Sequence, residues 1–142
     1  MEITHQADYA LRAIMYLAKL GPGQRVSTSQ IAEKNNIPPS FLTKIVSQLS
    51  IAGLIHTSRG AHGGVWLARS PESITLLEVL EAIDGSVNLN HCVADPGICS
   101  FSDTCVLHVF WQDACHTLVE RLKATNFGNL AAKPASELPA AA

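Results

Sequence analysis

Residues 92–108 read CVADPGICSFSDTCVLH, which sets three cysteines and a histidine at the spacing C-x(6)-C-x(5)-C-x(2)-H. Thiolates are soft ligands that hold zinc or iron–sulfur clusters, and imidazole readily joins them. His108 lies three residues beyond Cys105, so the two share a face if they share a helix. Structural zinc sites use close C-x(2–4)-C pairs, and only the gap from Cys105 to His108 is that short. A cluster is larger and tolerates wider gaps. The spacing therefore ranks an iron–sulfur cluster (2Fe–2S or 4Fe–4S) first, a disulfide-forming thiol switch second and zinc third. Cys92, Cys99 and Cys105 are the expected ligands, with His108 as the fourth and His91 as a weaker alternative. Cys115 falls two turns beyond His108, about 10 Å along a helix, which assigns it to a dimer interface or a buried thiol.

The bulk composition narrows the setting. The chain has 142 residues and 47% hydrophobic content, enough for one folded domain. No apolar run approaches the roughly 20 residues of a membrane span, and the first residues lack a secretory pattern. The expected location is the cytoplasm, where four cysteines serve as ligands or redox groups in preference to structural disulfides. Neither a nucleophile–base pair nor a nucleotide-binding glycine loop is evident, so no enzyme and no small-molecule substrate are expected. The net charge of −2 conceals an asymmetry. Residues 38–69 carry Lys44, Arg59 and Arg69 with no acid. Residues 72–120 carry Glu72, Glu78, Glu81, Asp84, Asp95, Asp103, Asp113 and Glu120 with no Lys or Arg. The first stretch can approach phosphate and the second cannot.

The elements that position these groups follow from periodicity and punctuation. Leu11, Ile14 and Leu17 mark a helix from Thr4, its N-cap, to Leu20, ended by Gly21-Pro22-Gly23. Ser27 and Gln30 form a capping box for a second helix that runs towards Asn36 and breaks at Ile37-Pro38-Pro39. A third helix opens at Pro39 or Ser40, turns Leu42, Ile45, Val46 and Leu49 inward and stops at Gly53. This is a helix-turn-helix whose outward Ser40, Thr43, Lys44 and Ser47 suit contacts to double-stranded promoter DNA. Residues 54–57 and 65–68 then read as two strands joined by the glycine-rich loop 58–64. That hairpin is a wing that offers Arg59, Gly60 and His62 to DNA.

Thr75 and Glu78 cap a further helix through Val79, Leu80 and Ile83 to Gly85. Residues 86–104 show no periodicity and read as a loop whose order a bound metal centre would supply. Cys105 begins a long helix to about Lys123. Its stripe of Val106, Leu107, Phe110, Trp111, Ala114, Leu118 and Leu122 points to a homodimer seam. The expected architecture is mainly α with a small β wing. It comprises a winged helix-turn-helix domain (1–84), a cysteine-rich cluster loop (85–105), a dimerisation helix (106–126) and a flexible tail (127–142).

ADYALRAIMYLAKL, IPPSFLTKIVSQLSIAGLI, the wing SRGAHGGVWLAR and the cysteine stretch together resemble the Rrf2 type of bacterial transcriptional regulators over roughly residues 1–130. The resemblance implies a dimeric winged-helix regulator, in some members a repressor, whose cluster state sets promoter affinity in response to iron–sulfur status, redox state or nitric oxide. Cys105, His108 and the following VFWQDA resemble the branch in which three cysteines and a histidine hold a 2Fe–2S cluster. Asp8 in ADYALRA resembles the branch in which an aspartate completes a 4Fe–4S cluster across the dimer, which makes Asp8 a rival fourth ligand. The six-residue gap between Cys92 and Cys99 departs from the family's usual five. Thr43 stands where one branch carries a glutamate that discriminates between DNA motifs. Two other readings stay open: a cluster-bearing electron-transfer protein, and a partner-regulated DNA-binding adaptor without a cofactor.

Overall fold

Ala7, Ala10 and Ala13 line the inner face of the first helix, α1 (His5–Leu20), and none is more than 3% exposed. Lacking any side chain beyond Cβ, they let the neighbouring helices approach closely. The computed structural model describes residues 2–133. Thr4 caps α1 by accepting from the Ala7 N–H, and Gly21 ends it at a positive φ of 90°.

The capping box of Ser27 and Gln30 opens α2 (Thr28–Asn35), with both reciprocal hydrogen bonds formed. The turn that follows is made by Asn36 in the left-handed region (φ 53°), with the prolines beginning the next element. Pro39 occupies the first turn of α3 (Pro39–Ile51), where its missing N–H costs nothing. Leu42, Ile45 and Leu49 are buried, whereas Val46 is only half-buried. The strands β1 (Ile55–Ser58) and β2 (Gly64–Leu67) pair antiparallel with Ile55 opposite Leu67 and Ser58 opposite Gly64. Their far ends lie one residue from the expected positions. Val26, in the connector before α2, also bridges to Val65 through two hydrogen bonds, so β2 has partners on both edges.

After a 3-10 turn (Pro71–Ser73), α4 (Leu76–Asp84) begins at the Thr75–Glu78 capping box. It packs on α1, α3 and the long helix α6 (Val106–Ala124). The core joins Ile14, Ile31, Leu42, Ile45, Leu49, Leu54, Ile74 and Val79, all nearly fully buried. The molecule is thus mainly helical with a small two-stranded wing.

Two expectations need correction. Residues 86–104 are not a structureless loop, because a short helix, α5 (His91–Ala94), and a 3-10 turn (Pro96–Ile98) lie within them. Asp95 accepts from the Gly97 N–H, and the buried Ser102 hydroxyl donates to the Pro96 carbonyl at 2.9 Å. Local hydrogen bonds thus contribute to the shape of this segment. Nor does a flexible tail begin at residue 127. Asn126 caps a final helix, α7 (Phe127–Ala132), and Phe127 is 1% exposed in the core. A Cβ on Gly128 would lie 2.6 Å from the Glu72 side chain, so α7 sits tightly on the 3-10 turn before α4. The rest of the expected tail, residues 134–142, lies outside the described residues.

Candidate nucleic-acid interface and metal centre

Helical spacing puts Ser40, Thr43, Lys44 and Ser47 on the outer face of α3, and all four are exposed. The Thr43 hydroxyl donates to the Pro39 carbonyl one turn back (3.2 Å), leaving its lone pairs outward. Arg59, Gly60 and His62 are exposed on the wing loop. An open cleft of about 700 Å³ separates helix from wing, lined by Ser27, Thr28 and Thr43 on one side and by Ser58, Arg59 and Gly60 on the other. Of the expected contact residues, Thr43, Arg59 and Gly60 line this groove, and Ser40, Lys44, Ser47 and His62 do not.

The wing loop has its shape because two glycines permit it. Gly60 adopts φ 99° and accepts from the Gly63 N–H at 3.0 Å. At Gly63 a Cβ would stand 2.3 Å from the Ser58 carbonyl oxygen, a contact with rigid backbone that no side chain could relieve.

Charge sorts the cations. Arg69 pairs with Glu78 at 2.7 Å, which removes it from the set that could meet phosphate. Burial works to raise the Glu78 carboxyl. The Thr75 backbone N–H, the hydrogen bond and charge of Arg69, and the Thr75 hydroxyl together outweigh it and hold the carboxyl below its ordinary range. Among the described residues, Lys44 and Arg59 enter no ion pair. Arg25 was not expected at this surface. Its guanidinium lies 3.9 Å from the centre of the Trp66 ring and donates to the His62 carbonyl at 3.2 Å. No local pattern marks Arg25, because its partners lie on the wing some 40 positions away.

Cys92 lies within α5, Cys99 ends the following 3-10 turn and Cys105 is the N-cap of α6. All three are half-buried free thiols. His108, in the first turn of α6, is 7% exposed, and its Nδ1 is buried with no hydrogen-bond partner. Its backbone N–H donates to the Cys105 carbonyl at 3.1 Å, which ties ligand candidate to ligand candidate. The donor set of three thiols and one bare imidazole nitrogen suits an iron–sulfur cluster chemically. Among the described residues, no three His, Cys, Asp or Glu side chains are gathered as one metal ion would need.

Asp8 belongs to a different neighbourhood. It pairs with Arg12 one turn along α1, and Arg12 reaches over the Tyr9 ring towards the Asn35 carbonyl. Within one chain, Asp8 has a counter-ion. Cys115 is buried and donates to the Val87 carbonyl at 3.3 Å, which leaves the buried-thiol alternative in place for it. His91 is exposed.

The long apolar stripe of α6 divides. Leu118 and Leu122, both half-buried, line a cavity shared with Leu76 and Leu130 of α4 and α7. The proximal half is more exposed. Val106, Leu107, Val109 and Phe110 are 59–80% exposed, beside Ile98 at 65% and Phe101 at 69%.

Comparison with known proteins bears on both surfaces. Residues 3–133 match the Rrf2 family, described as an iron-dependent transcriptional regulator. The chain is 32% identical over 130 residues to the HTH-type transcriptional regulator IscR of Escherichia coli, spanning 92% of this chain and 80% of that one. It is 34% identical over 108 residues to the HTH-type transcriptional regulator NsrR of Bacillus subtilis, spanning 75% and 74%. Among solved structures, the oxidized form of Staphylococcus aureus CymR superposes with a TM-score of 0.76 at 26% identity, covering 94% of this chain and 98% of that one. No helix among the described residues is long and apolar enough to cross a membrane.

Proposed function

The chain belongs to the Rrf2 family of transcriptional regulators, and from that membership we propose a homodimeric promoter-binding protein whose DNA affinity follows the state of an iron–sulfur cluster held by Cys92, Cys99, Cys105 and His108. The observation that carries this reading is the bare Nδ1 of buried His108, one helical turn from the half-buried Cys105 thiol. A buried polar atom without a partner is costly, and a metal bond would satisfy it. When bound, such a cluster supplies reversible redox chemistry and a target for oxygen or nitric oxide.

The chain's own residues do the rest. Cys105 stands as the N-cap of α6, three residues before His108 on the same helix. The α5 segment rests on α6, so a change at the cysteines bears directly on the helix whose proximal face is apolar and exposed. That face meets a second copy, and the dimer presents two sets of Thr43, Lys44 and Arg59 to two half-sites of double-stranded DNA in the cytoplasm. Asp8 remains a rival ligand only across such a dimer, where it would have to leave Arg12.

Anaerobic purification with iron and sulfide counts and visible spectroscopy tests the proposal. The expected protein is brown, loses or shifts its absorbance in His108→Ala and keeps it in Asp8→Ala. Colourless protein with one bound zinc would overturn it.

A thiol switch is the second reading. Free thiols that are not gathered about one metal ion favour it, as does the likeness to a regulator solved in an oxidized form. Here two of Cys92, Cys99 and Cys105 would form a disulfide on oxidation. Metal-free protein that loses two hydrogens in mass on peroxide treatment, and changes its DNA affinity reversibly with dithiothreitol, is the outcome that would select this reading.

A further inference from the structure

Arg25 lies in the connector between α1 and α2, yet its side chain is spent on the wing. Alternation along the strands places Thr57 and Val65 on the face that lines the cleft. His56 and Trp66, directly opposite each other, fall on the reverse face, with ring centres 5.7 Å apart. Arg25 covers Trp66 from that reverse side at 3.9 Å and donates to the carbonyl of His62 in the wing loop. Gly64, at φ 144°, leaves room for it, since a Cβ there would come within 3.3 Å of the Arg25 Cβ. The adjacent Val26–Val65 bridge fixes the backbone of the connector against β2. A cation on an indole face, a hydrogen bond to the loop and a two-bond backbone bridge therefore hold the wing from behind.

We propose that Arg25 is a positioning residue for DNA binding: it clamps Trp66 and the His62 carbonyl so that the wing loop keeps Arg59 in the cleft opposite Thr43, without itself contacting phosphate. The inference rests on the DNA-reading function proposed above. It assigns to Arg25 a role exercised through Arg59. A residue that meets phosphate adds its own increment to the dependence of affinity on salt, and one that only orients the wing adds none once Arg59 is gone.

The test uses the full chain, purified anaerobically, and a fluorescein-labelled duplex carrying the DNA upstream of its own coding sequence, titrated over a series of salt concentrations. Arg25→Ala should weaken binding roughly threefold to tenfold, and in an Arg59→Ala background it should cost no further affinity and no further slope of log affinity against log salt. Trp66→Ala should match it, the double variant should be no weaker than either single, and Arg25→Lys should recover part of the loss. In a Trp111→Phe background Trp66 is the one remaining tryptophan, and Arg25→Ala should raise its quenching by acrylamide. A slope reduced by about one by Arg25→Ala in the Arg59→Ala background, with additive losses, would make Arg25 a phosphate contact and overturn the clamp. Unchanged affinity or unchanged quenching in Arg25→Ala would overturn it too. A parent protein that binds no duplex at any salt would remove the DNA-reading premise, an outcome distinct from a parent that binds and an Arg25 variant that binds equally well.

Discussion

Phe127 donates its backbone N–H to the Ile74 carbonyl at 3.0 Å, which threads the end of the described chain into the core beside the start of α4. Next to it Leu76 donates to the Thr125 carbonyl at 3.0 Å, so the join is double. Phe127 is the largest fully buried side chain among the described residues. Phe127→Ala should therefore lower the unfolding free energy by about 3–5 kcal/mol, read as a shift in the urea midpoint. A loss below about 1 kcal/mol would mean that α7 is dispensable.

The reason this helix was not legible lies in its size. FGNLAA offers under two turns, too short for periodicity, and the alanine-rich residues beside it look like a tail. The four residues of α5 are likewise too few to show a period. Where a signal is local it was readable: Ser27 with Gln30 and Thr75 with Glu78 form the capping boxes their spacing predicts. Arg25 gave no such signal, because Trp66 comes to it only through the fold. At the cysteine site the spacing correctly put Cys105 and His108 on one helix turn, but burial of the imidazole depends on packing against other elements.

The wing loop makes a steric prediction. Gly63→Ala would drive a methyl into the Ser58 carbonyl, so residues 58–63 must move. DNA affinity should fall at least about tenfold while the thermal midpoint changes little, since the loop is exposed and contributes little to the core. Fluorescence anisotropy and circular dichroism on the same sample would check both halves. A stable variant with parent affinity would show that this loop does not meet DNA.

Glu78 makes a prediction in pH. Its carboxyl titrates below the ordinary 4.5, so the stability it contributes is complete above that value and is lost as pH falls through the lower folded value. Glu78→Gln keeps an acceptor for the Thr75 N–H and removes the charge that meets Arg69. The variant should be less stable at neutral pH by at most about 1 kcal/mol, because the pair is well exposed to solvent. Thermal midpoints of the two proteins should converge as the pH drops below 4.5. A gap of constant size across that range would exclude the ion pair as its source.

The exposed start of α6 makes a prediction about assembly. Phe110→Asp places a charge in the middle of the apolar patch formed with Val106, Leu107 and Phe101. Sedimentation equilibrium should show a dimer for the parent and monomer for the variant, with the helical circular dichroism signal preserved. A variant that remains dimeric would move the seam elsewhere.

The two hydrogen bonds between Val26 and Val65 have a mechanical consequence. They bridge the connector before α2 to the free edge of β2, and Ser27, the very next residue, caps α2. Recognition helix, turn and wing are therefore bolted to one another through a single short stretch of backbone. In the function proposed above, the two gripping surfaces of each DNA-reading head are held by that same stretch of backbone. In a dimer, the distance and tilt between two such heads, and not the shape of either, is then the variable left for a signal to set.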